Sequence, residues 1–234
     1  MLIDFHAHSK GISKCCKIDG KDMVVLTKNS GMDGVILTNH YDKSYLINND
    51  GKELANRYIN EYYYVKEHGD KINFKVFFGI EVTMAKHNNV HMLVYGVDPE
   101  FLINNPFLYD LTIDQLSELV HKNGGVLVQA HPFRKGINVL FELKYLDGVE
   151  VNCHPLYDKT HINKLSKIAK ENKLLLTCGG DFHNDTPRPT CGVYIKDDLK
   201  DCKEIIDYLF KQNSIELCVQ EVGCKDTYKY IFEK

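Results

Sequence analysis

The residues able to do chemistry in this chain sit in short clusters, most of them where an apolar run ends. In Asp4-Phe5-His6-Ala7-His8 the ionisable residues alternate, so in extended chain they share one face. His40 follows Gly34–Thr38, Glu81 follows Phe74–Ile80, His131 follows Gly125–Gln129, and Asp181 and His183 follow Leu174–Thr177. His91 stands at the head of Val90–Tyr95. A single H-x-H pair, or any one of these histidines alone, is an ordinary structural feature. Glu81 is sharper, because a carboxylate directly after Phe77-Phe78-Gly79-Ile80 is costly to bury unless something cationic pairs with it. Gly179-Gly180 lets the backbone approach a ligand closely just ahead of Asp181. Taken together, histidines and carboxylates at so many strand ends point to a multinuclear metal site. Nitrogen and carboxylate ligands suit zinc, manganese or iron, and spacing does not choose among them.

These clusters need elements to position them. Strands are expected at Leu2–Phe5, Gly34–Thr38, Phe74–Ile80, Val90–Tyr95, Gly125–Gln129, Gly148–Val151, Leu174–Thr177 and Cys191–Ile195. Helices are expected at roughly 20–30, 52–68, 112–123, 161–172 and 201–211, with Asp19 or Asp22 capping the first and Thr112 with Gln115 forming a capping box on the third. Strands that are apolar throughout suit a parallel sheet covered on both faces. Strand–helix alternation without a linker gives a single α/β domain over residues 1–234. An open sheet would spread the ligands along a line, whereas a barrel gathers strand ends on one rim, so convergence favours a barrel.

Composition narrows the remaining possibilities. Of 234 residues 44% are hydrophobic, and the net charge is −3, which excludes disorder as the main state. There is no apolar run long enough for a membrane span. With 29 basic residues against 32 acidic ones, nothing favours nucleic acid as a partner. The eight cysteines are scattered without a C-x-x-C pair, and Met1-Leu2-Ile3-Asp4 has no leader pattern, so a reducing cytoplasm is the expected location. The sequence leaves the oligomeric state open.

The motifs also carry a resemblance. Asp4-Phe5-His6-Ala7-His8-Ser9, Leu37-Thr38-Asn39-His40, Gly79-Ile80-Glu81, Val90-His91-Met92-Leu93, Ala130-His131-Pro132 and Gly180-Asp181-Phe182-His183 resemble, in order, the motifs of the PHP (polymerase and histidinol phosphatase) family. The resemblance runs from about residue 2 to about residue 220 and implies a distorted (β/α)7 barrel with a two- or three-metal phosphoesterase centre. It implies that His6, His8 and Asp181 hold one metal, that Glu81 bridges to a second completed by His91 and His131, and that His40 and His183 belong to a third. The chain departs from the pattern twice. Ser9–Ile18 offers only Cys15 and Cys16 where the third metal usually finds a further His or Asp, and the usual T-D-H reads Thr38-Asn39-His40. Asp19 would serve the third metal only if its loop folded back.

The implied reaction is hydrolysis of a small phosphate monoester, such as histidinol phosphate, a nucleotide or a sugar phosphate. The nucleophile would be a hydroxide between metals about 3.5–4 Å apart. Arg134, three residues after His131, and Arg188, after His183, are the candidate clamps on the phosphoryl group. His154, beyond Val149–Cys153, is the candidate to line the pocket or protonate the leaving group. His68, His87, His121 and His161 read as surface residues, Tyr62-Tyr63-Tyr64 as packing or an oligomer contact, and Met84–Asn89 as a loop over the site. Two alternatives stand beside this reading. An amidohydrolase also begins with H-x-H and ends on a strand-end Asp, but typically bridges its metals with a carboxylated lysine where this chain has Glu81. A metal-binding accessory module without catalysis is the other.

Overall fold

In the computed structural model β1 (Leu2–Ala7) is buried along its whole length and pairs in parallel with β2 (Gly34–Leu37), which pairs in parallel with β4 (Lys75–Thr83). The structure describes residues 1–87, 90–134, 139–157, 159–183 and 187–234. A two-residue strand, β3 (His40–Tyr41), adds to the end of β4 and sets His40 opposite Glu81. Beyond β4 the sheet continues through β5 (His91–Tyr95), β6 (Val126–Gln129), β7 (Gly148–Asn152) and β8 (Leu175–Gly179). On the other side of β1 it runs through β9 (Gly192–Tyr194), β10 (Ser214–Gln220) and β11 (Thr227–Glu233). The chain leaving β8 then comes back against β1. Ala7 bridges Phe182 in parallel, Asp181 N–H donates to the His6 carbonyl at 2.8 Å, and His8 N–H donates to the Phe182 carbonyl at 3.4 Å. The result is a mixed α/β architecture around a nearly closed, barrel-like sheet.

Among the described residues six α-helices complete it: α1 (Gly20–Asn29), α2 (Gly51–Lys71), α3 (Glu100–Asn104), α4 (Ile113–Lys122), α5 (Ile162–Asn172) and α6 (Cys202–Lys211). Their starts follow local chemistry. Asp19 accepts from Lys21 N–H, Asp50 from Lys52 and Glu53, Asp201 from Glu204, and Thr112 with Gln115 closes the expected capping box. The alternate residues Val76, Phe78, Ile80 and Val82 of β4 pack with Leu54, Tyr58, Tyr62 and Val65 of α2. By the two-residue period of a strand, Phe77, Gly79 and Glu81 take the opposite face. The Tyr58 hydroxyl, 2.8 Å from the Asn39 carbonyl and 2.9 Å from that of Gly79, ties the end of β2 to β4 from beneath.

The sheet departs from the expected parallel order at one decisive place. β5 runs antiparallel to both β4 and β6, and β9 and the β10–β11 hairpin are antiparallel as well. An apolar run reports burial on both faces but not direction, which is why Val90–Tyr95 gave no sign of its reversal. α3, β3 and the terminal hairpin also lie outside the sequence reading. In β11 exposed residues predominate and only Phe232 is buried, so no apolar run marks it. Among the described residues no helix is long and apolar enough to cross a membrane.

Candidate metal centre

Glu81, near the end of β4, is the hub. Its Oε1 lies 2.9 Å from His91 Nδ1, 3.2 Å from His131 Nε2 and 3.3 Å from His6 Nε2. Its Oε2 lies 2.6 Å from His40 Nδ1 and 3.5 Å from His8 Nε2. The five histidines come from four parts of the sheet: His6 and His8 from the end of β1 and just beyond it, His40 from β3, His131 from the chain just after β6, and His91 from the start of β5. The reversal of β5 puts its first residue on the same rim as the end of β4, where His91 pairs with Thr83. Asp181 completes the ring, its Oδ1 standing 3.0 Å from His8 Nε2 and 3.4 Å from His6 Nε2. His183 Nδ1 lies 3.5 Å from the same oxygen, and the ring of His183 is 4.2 Å from that of His8. His131 and Asp181 both hold left-handed backbone conformations (φ 31 and 49), strain of the kind that clusters at functional sites.

The electrostatics ask for a cation. Burial works against charge on His40, yet the Glu81 carboxylate and the Cys15 thiol raise its pKa to about 10. Burial likewise opposes charge on His6, but Glu150, Asp181 and Glu81 outweigh it and hold His6 well above the usual histidine range. His131 is pushed the other way, to about 4, chiefly by burial, and His8 falls well below its usual value through burial and the neighbouring His183 and His40. Glu81 and Asp181 stay ionised despite burial, because histidines surround them. The neutral His8 and His131 rings lie against carboxylates, an arrangement that a positive ion between them stabilises. His40 Nδ1 and Glu81 Oε2 are buried only 2.6 Å apart, yet neither makes a hydrogen bond. The donor set fits divalent metal, with ligand atoms grouped as His6, His8 and Glu81; His40, Glu81 and His91; and His8, His40 and His183.

A cavity of about 470 Å³ opens beside these residues, lined by His40, His91, His131, Asp181 and His183 together with Arg134, His154 and Tyr157. Arg134 reaches it as the sequence suggested, its Nη1 donating to the Tyr157 hydroxyl at 2.8 Å, while that hydroxyl donates to Asp181 Oδ2 at 2.5 Å. His154 lines the same cavity, its ring stacked on Tyr157. Arg188 is placed elsewhere. Its side chain is 4% exposed and paired with Asp4, and it is not among the cavity residues, so the expected clamp is instead a prop beneath Asp4. Cys15 lines the cavity, whereas Cys16 is buried and Asp19 caps α1. Burial raises the Cys15 thiol, but hydrogen bonds with His183 and His40 bring it down to about 6.

The unusual Asn39 has a clear job. Its Oδ1 accepts from Ser9 N–H at 2.7 Å and from the Ser13 hydroxyl at 2.8 Å, and its Nδ2 donates to the Ser9 hydroxyl at 2.9 Å. An amide can both accept and donate there, which a carboxylate cannot, and the result is a pinned Ser9–Ile18 loop. Of the other histidines, His121 pairs with Asp147 at 2.7 Å, His68 lies on the Tyr64 carbonyl, His87 meets Phe141 and His161 meets Phe133, all away from the centre. Tyr62 is core, Tyr63 is exposed, and Tyr64 donates to Asp19. Asn88 and Asn89 of the expected Met84–Asn89 loop lie outside the described residues.

Two residues of the centre escaped the sequence reading. Glu150, in the middle of β7, places Oε1 2.7 Å from His6 Nδ1 and accepts His131 N–H on Oε2 at 2.8 Å. It fixes the His6 proton on Nδ1 and turns Nε2 towards Glu81, the arrangement that orients a metal-binding histidine. The signal was present, since a carboxylate inside Gly148-Val149-Glu150-Val151 raises the same burial question as Glu81. Tyr157 had no signal at all; it sits in a turn whose sequence is ordinary.

No family model and no curated protein matches the sequence. Solved structures do match. A two-domain protein from Bacteroides vulgatus, containing a PHP-like domain assigned to the metal-dependent phosphoesterases, superposes with a TM-score of 0.66 over 100% of this chain and 86% of its own, at 14% identity. A protein from Bifidobacterium adolescentis, also assigned to the metal-dependent phosphoesterases, gives 0.59 over 88% of this chain and 95% of its own, at 17% identity. The fold is PHP-like. An amidohydrolase from Chromobacterium violaceum, with sulfate bound and no metal, shares the architecture at a TM-score of 0.56 over 88% of this chain and 96% of its own, at 14% identity. A PHP-like fold therefore carries more than one kind of name, and function must be argued from the site.

Proposed function

We propose that this PHP-like chain is a metal-dependent phosphoesterase that hydrolyses small phosphate monoesters. The observation that carries the reading is Glu81 with nitrogens of five histidines within 3.5 Å, three of which, His40, His91 and His131, line a cavity that Arg134 also lines. His6, His8, Asp181 and Glu81 would hold one divalent ion, Glu81, His91 and His131 a second, and His40 and His183 a third. Such ions supply a Lewis acid for the phosphoryl group and an activated water as nucleophile.

The remaining steps belong to the chain's own side chains. Arg134 binds the phosphoryl oxygens and offsets the charge they carry as the ester bond breaks. Tyr157 stays protonated, because burial and the Asp181 charge both raise it, and its hydroxyl holds the guanidinium against the centre. Leu156 N–H donates to His154 Nδ1 at 3.2 Å, which leaves Nε2 as the nitrogen that donates a hydrogen bond to the departing oxygen, with the proton of the leaving group supplied by solvent. Arg134 is the only arginine or lysine among the described cavity residues, which matches one phosphate rather than a nucleic-acid track. A dianionic monoester gains more from clustered cations than a singly charged diester does. The amidohydrolase alternative is weakened by the same cavity, since no lysine lines it among the described residues.

The test compares metal-reconstituted protein on a chromogenic phosphate monoester, its diester, single-stranded DNA and an amide. Monoester cleavage should be fastest, inhibited by free phosphate, abolished by chelator and restored by manganese or zinc. Faster diester or DNA cleavage makes the protein a nuclease, faster amide cleavage makes it an amidohydrolase, and inactivity on all four returns it to an accessory role.

A further inference from the structure

We propose that Cys153, Cys178 and Cys191 form a separate metal site that takes a thiophilic cation. The three thiols come from different segments: just after β7, within β8 and just before β9. Their sulfurs all lie within 4.8 Å of one another, and Cys153 and Cys178 are 3.7 Å apart. Metal–sulfur bonds are about 2.3 Å, so three sulfurs around one ion stand about 4 Å apart, close to the spacing already present. Sulfur without nitrogen or carboxylate selects soft d10 cations such as copper(I) and zinc over manganese or magnesium.

The surroundings support an ion rather than plain packing. Each thiol is fully buried, and Cys178 and Cys191 both hydrogen-bond Cys153 instead of facing only apolar neighbours. Burial first raises Cys178, and the shared hydrogen bonds first raise Cys191 and lower Cys153 to about 5, with only a small upward influence of the Asp4 carboxylate on each. Arg188 pairs with Asp4 and offsets its charge. On binding, each thiol releases its proton to solvent and each sulfur donates one lone pair; the Cys178 hydrogen bond to the Cys218 carbonyl is given up. The approach is independent of the histidine centre. Cys153 lines a second cavity of about 270 Å³ with Pro155, Pro187, Pro189 and the exposed Cys224.

Cadmium is the probe, because thiolate coordination gives it a near-ultraviolet charge-transfer band and a sulfur-specific nuclear resonance that nitrogen and oxygen ligands do not. The Cys15→Ser chain is used throughout, so that the cavity thiol contributes nothing. One equivalent of sulfur-bound cadmium is expected, lost when Cys178→Ala or Cys191→Ala is added with circular dichroism unchanged. Should either variant fail to fold, alkylation of the Cys15→Ser chain during a denaturant pulse decides the matter: cadmium should protect Cys153, Cys178 and Cys191 but not Cys202 or Cys224. Absence of a sulfur-bound signal, its survival in Cys178→Ala, equal alkylation with and without cadmium, or a Cys153–Cys178 disulfide in the purified protein overturns the proposal. Metal content and turnover at the histidine centre are read separately, so the two readings fail independently.

Discussion

At the scale of single residues, one carboxylate decides how the centre behaves. Glu81→Gln keeps the size but removes the charge that five imidazoles share, and metal affinity should fall by at least about 100-fold in chelator competition, more than is usual for a residue behind the ligands. Full occupancy in that variant would show that Glu81 does not ligate. The metal-free centre should also register in pH. His40, held at about 10, is protonated near neutrality and must lose its proton to ligate, so metal binding should release protons and strengthen with rising pH. The raised value also sets a sign for stability. The contribution of His40 to the metal-free fold is complete below about 6.5 and is lost as pH climbs through about 10, so the melting gap between loaded and stripped protein should widen across that window. A gap that narrows would contradict it. Arg134→Ala should cost about 10²–10³ in turnover with metal content intact, the usual penalty for a lost electrostatic donor. The residues that the fold gathers around Glu81 were legible because His and Glu at strand ends have few other uses. Arg188 was not, because nearness to Asp181 in sequence does not say on which side of the chain a long side chain lies.

At the scale of elements, strand positions were readable and strand directions were not. The eight apolar runs all became strands, because burial on both faces leaves an unmistakable composition. Direction depends on the connection, and the short link from β4 to β5 allows a hairpin that composition does not reveal. The close approach of β8 to β1 offers a sharp test. A Cβ added at Gly179 would lie 2.4 Å from His6 Cβ and 2.7 Å from Glu150 Oε1, with the His6 backbone nitrogen at 2.8 Å. Gly179→Ala should therefore push β8 off β1, cost about 1–3 kcal/mol of stability and weaken metal binding, because His6 and its orienting carboxylate are displaced together. Thermal melts and metal titration check both halves. Unchanged melting with unchanged affinity would mean that the two strands are not so tightly opposed.

At the scale of the whole molecule, metal and fold should prove linked. Strands from all around the barrel send ligands to one centre, so ions bind the folded chain and not the unfolded one, and saturation at about 100 times the dissociation constant adds about 2.7 kcal/mol per site. For a chain of this size each kcal/mol shifts the melting point by about 2–4 °C, so chelation should lower it by several degrees and metal should restore it. No change on chelation would separate the centre from stability. The seam of the barrel carries one more consequence, and it concerns descent. The main chain at 180–182 joins the sheet to β1, while the Asp181 carboxylate faces His6 and His8 and its carbonyl meets His183 Nδ1. Closure and ligation can therefore be inherited separately. Asparagine tolerates the left-handed backbone at position 181, so a descendant carrying Asp181→Asn would keep the barrel and lose the proposed metal ligand in a single step, whereas a deletion there would lose both. A lineage drifting out of catalysis should show substitution at this seam and preserve its length.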